Sequence, residues 1–485
     1  MSDTKKIIAC DQIFSGHGSP TDEPLCGLIS IEKNKFSKFE FCNQQDYHEL
    51  LKGWKKNHIN LSDFSGKIIS PAFINAHTHI AMNLFRGIDR RASTKGNMVE
   101  DLFYHIESRL TFADVLAFAR IGAWENLLNG NGFIWDHYYF GDAIAQALSD
   151  TGLCGVVAPT LQDQFGPGKN RCEEEWSNTL GIHESKSLSE QGIYGALGPH
   201  ATDTVSESLW KKIFELASLK KLPVHSHHAQ SAEEYTRCLE THQCQPGEWL
   251  NRMGGFDADI SHLLVHNVYI KKQDLKLYKK KNIALAFCPF SSLIFAQPSR
   301  VMDWEATGIT WTIGTDCVAS NDSMNLQKEL KYLSGIPMQS VGFSKTYGDF
   351  FRQHKISPDA TIARRAKIWE KHSWFRDPDF LLSKVWKTPG DIHPHIKVGS
   401  LFEGSLANLI VWNPDHPSLW PFQNTNSFAM GDNLSAIHKL LCAGKWIGSQ
   451  SGQFHTGILE SHNYKEHLKE ARKRFALVLK KCGLS

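Results

Sequence analysis

"IISPAFINAHTH" (68–79) is an apolar, β-branched run that ends in two histidines separated by one residue. Its apolar positions are continuous rather than strictly alternating, which suits a strand buried on both faces, as in a parallel sheet. Seven similar runs follow: "GFIWDHYYF", "GLCGVVAPT", "GIYGALGPHA", "LPVHSHHA", "HLLVHNVY", "IALAFCP" and "ITWTIGTDC". Helical patterns fill most of the gaps. In "TFADVLAFARIGAWENLLNG", Thr111 and Asp114 read as a capping box, Ala117, Ile121, Trp124 and Leu128 form one face, and Gly130 offers a left-handed stop. In "TVSESLWKKIFELASLKKL", Trp210, Ile213, Phe214 and Ala217 repeat at helical spacing. Alternating strand and helix units in this number predict an α/β fold, a (β/α)8 TIM barrel, in preference to a doubly wound open sheet.

The flanks differ. "KIIACDQIFSG", "LCGLISIEKNKFSKFEF" and "NLSDFSGKIIS" near the start, and "IKVGSLFEGSLANLIVWN" and "AIHKLLCAGKWIGS" near the end, are rich in β-formers and turn residues. The expected organisation is a small β-sandwich built from 1–68 together with 395–455, a barrel over 69–394, and a basic helical tail over 456–485 whose charge is read as a solvated face.

Composition narrows the function. Among 485 residues, 53 basic and 51 acidic side chains nearly cancel, without the basic excess usual for a nucleic-acid partner. No apolar run approaches the ~18 residues of a membrane helix, and the start carries no signal-peptide pattern, so a cytoplasmic location is expected. The 11 cysteines are scattered, as free thiols in a reducing compartment are. Cys238 and Cys244 flank His242 at a spacing that matches no common zinc pattern.

Polar residues collect at the ends of the apolar runs: His77, His79, His137, Thr160, His200, His225, His227, His266 and Asp316. In such barrels chemistry sits at the C-terminal ends of the strands. Alternate strand residues share a face, so His77 and His79 point together, as do His225 and His227, while His228 points away. Three histidines and Asp316 suit one divalent cation, zinc or iron(II), with room left for a water.

These motifs resemble the metal-dependent amidohydrolase superfamily, in its branch of aromatic deaminases and triazine chlorohydrolases. "SGKIISPAFINAHTHI" (65–80), "LFRGIDR" (84–90), "LGPHAT" (197–202), "LLVHNVY" (263–269), "FCPFSS" (287–292), "IGTDCVASN" (313–321) and "VGSLFEGSLANLIVWN" (398–413) carry the resemblance over nearly the whole chain. Ala72 stands where glycine is usual and Asn408 where aspartate is frequent. The resemblance implies His77, His79, His227 and Asp316 as metal ligands, Asp316 as proton acceptor, His266 as a hydrogen-bonding partner of the reacting oxygen, and His200 as a substrate contact. Dinuclear relatives carry a carboxylated lysine where this chain reads "GPHA", which implies a single metal. The implied reaction is hydrolysis of a non-peptide carbon–nitrogen bond, above all deamination of a small heterocycle of purine, pterin, pyrimidine or triazine type.

One departure stands out. Where aminohydrolases of this family read H-x-x-E, this chain has His227 followed by Gln230, and an amide cannot carry a proton at neutral pH. Asp316 then transfers every proton while Gln230 orients the substrate, or another group such as Glu233, Glu234 or His228 substitutes, or the chemistry is one that needs less ring protonation. The last case covers loss of a good leaving group, as in a chlorohydrolase; an N-dealkylating hydrolase, or a relative that binds metal or ligand without turnover, is the further alternative. The glutamates are expected at the start of the next helix, facing solvent. Arg86, Arg90 and Arg91, and the stretch 342–351, are candidates for lining the mouth, although surface arginines are the simpler reading. A homodimer is left open by the sequence.

Overall fold

The computed structural model describes every residue except 1–4, 17–22, 59, 88–96, 258, 282, 343–357, 449–452 and 485. Arg90, Arg91 and nearly all of the 342–351 stretch therefore lie outside the described residues.

The chain is α/β, with parallel sheets. Each apolar run in the middle of the chain contains a strand: β6 (Phe73–Thr78), β7 (Asn131–Tyr138), β8 (Cys154–Leu161), the short pair β9 (Ile193–Gly195) and β10 (Gly198–Pro199), β11 (Val224–His228), β12 (His262–His266), β13 (Ile283–Phe287) and β14 (Thr310–Ile313). β6, β7, β8, β11, β12 and β13 are buried at every position, which is why their sequences show no alternation. β6 to β10 form one parallel sheet and β11 to β14 a second. The sheets meet at both margins through parallel bridges, Leu197 with Val224 and Thr78 with Asp316.

Strands from both chain ends join in one further sheet, in the order β17 (Lys445–Trp446), β16 (Ile437–Cys442), β15 (Leu409–Trp412), β5 (Ile68–Pro71), β1 (Lys6–Ile13), β2 (Leu25–Glu32), β3 (Lys35–Cys42), with β4 (Leu61–Asp63) beside β1. The run 68–79 is thus two strands. Ile68–Pro71 pairs antiparallel with β15, the chain breaks at Ala72, and Phe73–Thr78 enters the central sheet. Residues alternate along β1: Ile8 and Cys10 pack with Ile29, Ile31 and Val411, whereas Ile7 and Ala9 pack with Leu28, Tyr47 and Leu51. The last two sit on a helix, Gln44–Asn57, where strand-like pieces alone were expected. Tyr47, Leu51 and Trp54 supply its apolar face at helical spacing.

The capping box is present. Thr111 caps the helix Phe112–Leu128, and the Asp114 carboxylate accepts from the Thr111 backbone N–H at 3.0 Å. Asp114 is fully buried and also faces Lys481 at 3.2 Å and Arg474 at 3.6 Å, both on the C-terminal helix His462–Lys481. The tail is therefore docked, with Ala471 and Val478 buried, and its basic residues are only partly a solvated face. Helix Glu207–Lys220 buries Trp210, Ile213, Phe214 and Ala217 as its pattern predicts.

Removing the cap hydroxyl should destabilise the protein modestly: Thr111→Ala is expected to cost about 1 kcal/mol in urea unfolding. Asp114→Asn should cost more, because it also weakens the hold on the tail, and it should speed proteolysis of the C-terminal helix. Equal stabilities of wild type and both variants would show that this corner is not structural.

Candidate active site

The polar strand ends converge. His77 and His79 leave β6, His225 and His227 lie on β11, His266 ends β12, and Asp316 follows β14; all are buried. The Nε2 atoms of His79 and His227 are 3.4 Å apart, and Asp316 Oδ1 lies 3.4 Å from His79 Nε2 and 3.8 Å from His77 Nε2. Two nitrogens bound at 2.0–2.1 Å to a tetrahedral ion stand ~3.4 Å apart. Ligand atoms of His77, His79 and Asp316 lie within 4.8 Å of one another, as do those of His77, His227 and His266, and those of His79, His137 and His227.

The other ring nitrogens are fixed from behind. His77 Nδ1 lies 2.9 Å from His225 Nε2, His79 Nδ1 faces the His137 carbonyl, and His227 Nδ1 faces the His200 carbonyl at 3.1 Å. Such outer partners set the tautomer and leave Nε2 free for a cation. His77 Nε2 and His266 Nε2 are buried with no hydrogen-bond partner, a state that costs free energy unless something occupies the space between them. Asp316 Oδ2 accepts from Ser291 Oγ at 2.6 Å, and Oδ1 accepts from the Cys317 N–H at 2.8 Å. These donors fit a divalent cation.

Backbone geometry makes the convergence possible. Gly314 approaches β6 so closely that a Cβ there would lie 2.5 Å from His77 N. The Asp316 N–H then reaches the His77 carbonyl at 3.0 Å. Asn75 clasps the same turn, its Oδ1 accepting from Thr315 N at 3.0 Å and its Nδ2 donating to Thr315 Oγ1 at 2.8 Å. His266 and Asp316 have φ of 73° and 60°, a left-handed conformation that non-glycine residues rarely adopt and that clusters at functional sites.

Burial drives the electrostatics. Desolvation, aided by neighbouring imidazoles, holds His77 and His227 well below the ordinary imidazole range. It lowers His200 to about 3, and His266 to about 4 against the opposing pull of Asp316. Neutral rings are the form that coordinates. His79 differs: burial opposes its charge, but the adjacent Asp316 overrides this and raises it. Burial likewise opposes the Asp316 charge, yet contact with His79 and the field of His266 bring that carboxyl down to about 2.

A pocket opens over this cluster, lined by His79, His200, His227, Asp316 and Gln230, with Phe103, Tyr104 and Phe295 as aromatic walls. Gln230 is fixed by its backbone: its N–H donates to Glu234 Oε2 at 2.8 Å and its carbonyl accepts from Gln297 at 3.1 Å. Glu234 does not face solvent. It is buried, and also accepts from Thr202 Oγ1 and the Ala229 N–H, because a carboxylate at the helix start is the acceptor nearest those loop donors. Glu233 is exposed. His228 points away, 2.7 Å from the Tyr278 hydroxyl. Arg86 is occupied by Glu125 and the Asp322 carbonyl, outside the pocket. Cys238 faces the Cys244 carbonyl.

Sequence reasoning missed Glu107. Its carboxyl lines the pocket and accepts from the Tyr138 hydroxyl at 2.9 Å, and burial pushes it up to about 7 from an ordinary 4.5. Nothing in "FYHIES" distinguishes it from a surface glutamate. Because its folded pKa is raised, the folded state binds more protons than the unfolded chain between about pH 4.5 and 7, so stability falls as pH rises across that window. Glu107→Gln should remove that share of the fall, on the order of 3 kcal/mol at most, in urea unfolding at pH 5 and 7.5 with chelator present. An unchanged pH slope would place Glu107 in contact with water.

Residues 68–347 match the amidohydrolase family. A 5'-deoxyadenosine deaminase of Methanococcus vannielii is 29% identical over 394 residues, covering 80% of this chain and 85% of that protein. Among solved structures, an adenosine deaminase from Xanthomonas campestris with bound zinc superposes with a TM-score of 0.74 at 18% identity, covering 98% of each chain. An atrazine chlorohydrolase from Arthrobacter aurescens complexed with zinc superposes with a TM-score of 0.74 at 16% identity, covering 97% of this chain and 99% of the other. The family match takes in more than half of the sequence and spans β6 to β14 and the whole cluster of histidines with Asp316, and this chain belongs to the amidohydrolase family.

Proposed function

We propose that this protein hydrolyses the exocyclic amine from an aminated heterocycle, of purine type, using one zinc ion held by His77, His79, His227 and Asp316. The observation that carries the reading is the triad of His77, His79 and Asp316 ligand atoms, with His227 Nε2 3.4 Å from His79 Nε2 and His77 Nε2 left unpartnered. The similarity to a deoxyadenosine deaminase supports the purine, and the walls of Phe103, Tyr104 and Phe295 suit a flat ring. Iron(II) is the other metal that the donor set admits.

A bound divalent cation supplies Lewis acidity and brings the pKa of its water toward ~7. Asp316 accepts the proton of the attacking water; Ser291 holds its outer oxygen, so the carboxylate presents one face to the reaction. His266, neutral and with a free Nε2, donates to the reacting oxygen and holds it in place for attack. His200, whose Nδ1 lies 3.0 Å from Thr204 Oγ1, contacts the substrate. Gln230 hydrogen bonds the ring and orients it without moving a proton, so Asp316 returns the proton to the departing amine. Gln230 also favours a second reading, release of a good leaving group such as chloride, which needs less ring protonation.

The fold that serves this chemistry is proposed to be a (β/α)8 barrel spanning 69–394, closed by the two bridges between its sheets. The proposed small β-domain, 1–68 with 395–455, is supported by the single sheet that joins both chain ends, which also takes in Ile68–Pro71 through β5. Residues 456–485 form the docked tail. Among the described residues no helix is long and apolar enough to cross a membrane. A cytoplasmic location is part of the proposal, and a homodimer stays open.

The decisive experiment measures bound metal, then ammonia, chloride and alkylamine release over aminated purines, pterins, pyrimidines and triazines. One equivalent of zinc and ammonia from a purine are expected; chelation should abolish turnover and zinc restore it. Asp316→Asn should lower kcat by about 10³-fold. Gln230→Glu should raise deamination or shift its pH profile. A protein that binds no metal, or that binds zinc and releases nothing from the panel, would overturn the reading.

A further inference from the structure

The four ligands and His266 leave one strand-end imidazole without a task. His137 sits on β7, 1% exposed, in the wall of the same pocket. Its ring centroid lies 4.9 Å from that of His227 and 6.2 Å from that of His79. Its Nε2 is buried and has no hydrogen-bond partner, while its Nδ1 lies 3.1 Å from Thr160 Oγ1. The chain on either side is anchored elsewhere. Asp136 accepts from the Ile80 N–H at 2.7 Å and Tyr138 donates to Glu107, so the His137 ring is presented toward the cluster by a rigid strand.

His79 and His227 each have Nδ1 turned to a backbone oxygen and Nε2 turned inward. His137 repeats that arrangement with a hydroxyl oxygen in place of a carbonyl. When Nδ1–H donates to Thr160, the Nε2 lone pair is exposed to the cluster, and the ligand nitrogens of His79, His137 and His227 lie within 4.8 Å of one another. We propose that His137 Nε2 is a further ligand of the cation at His77, His79, His227 and Asp316, supplied through β7. The inference rests on the metal-centre reading above. It makes the sphere richer in nitrogen, four imidazoles and one carboxylate, a set that suits zinc, cobalt or nickel over manganese or magnesium. Burial holds His137 well below the ordinary imidazole range, so the ring is neutral and available near pH 7.

The test uses the full-length protein loaded with cobalt(II), whose visible absorption strengthens as coordination number falls, together with zinc retention against a competing chelator. His137→Phe keeps the ring volume and removes the nitrogen. It should intensify the cobalt bands and weaken zinc retention at least tenfold. Thr160→Val keeps the ring and removes its hydroxyl partner, and should shift the cobalt bands in the same direction with a smaller loss of zinc. Should His137→Phe fail to fold, the Thr160→Val spectrum decides. Wild type with one equivalent of metal, and variants matching it in both spectrum and affinity, would overturn the role of His137 and leave the centre standing. Wild type that binds no metal would overturn both.

Discussion

The contact between Gly314 and the backbone of His77 is the constraint on which the site depends. A side chain at position 314 would collide with the first strand, and without the close approach the Asp316 N–H would not reach the His77 carbonyl. Asn75 secures the junction by hydrogen bonding Thr315 through both ends of its amide. The histidines and the aspartate come from segments far apart in the chain, so no local interaction could place Asp316 Oδ1 within 4 Å of His77 and His79. The left-handed conformation of Asp316 is part of the same junction, and His266 adopts it at the end of β12, where the chain likewise turns at once to leave the strand.

Around that junction the fold has concentrated buried imidazoles. Most are held neutral by burial, and His77, His137 and His266 each keep a ring nitrogen with no partner. An apolar core would not retain such nitrogens, because each loses its hydrogen bonds to water and gains none inside. A cation resolves the conflict at His77 and His137 by accepting their lone pairs, and a reacting oxygen beside it gives His266 its partner. His79 and Asp316 fit the same picture, since the adjacent carboxylate favours positive charge at that spot, which a cation supplies as well as a proton.

Much of this was legible in the chain. The eight apolar runs all contain parallel strands, and their lack of alternation reported burial on both faces. The H-x-H spacing placed His77 with His79, and the structure brings both together with His227, His266 and Asp316. Thr111 and Asp114 formed the capping box their spacing suggested. Other features carried no local mark. Glu107 and Glu234 look like surface glutamates in the sequence and are buried acceptors in the structure. The helix Gln44–Asn57 was hidden among strand-like segments, because three apolar residues at helical spacing are a weak signal in a polar stretch. The break at Ala72 was invisible, since an apolar run reads the same whether one sheet or two receive it.

The sequence by itself determined the period and burial of the strands, the pairing of histidines on one face of a strand, and the amide at Gln230, because these follow from local covalent geometry and residue chemistry. Only the tertiary structure decided which imidazole nitrogens face one another, that Glu107 and His137 enter the pocket, and that Asp114 receives the C-terminal helix. Those depend on which segments meet across the sheets and on how far each group is removed from water, and neither is encoded within any single stretch of the chain.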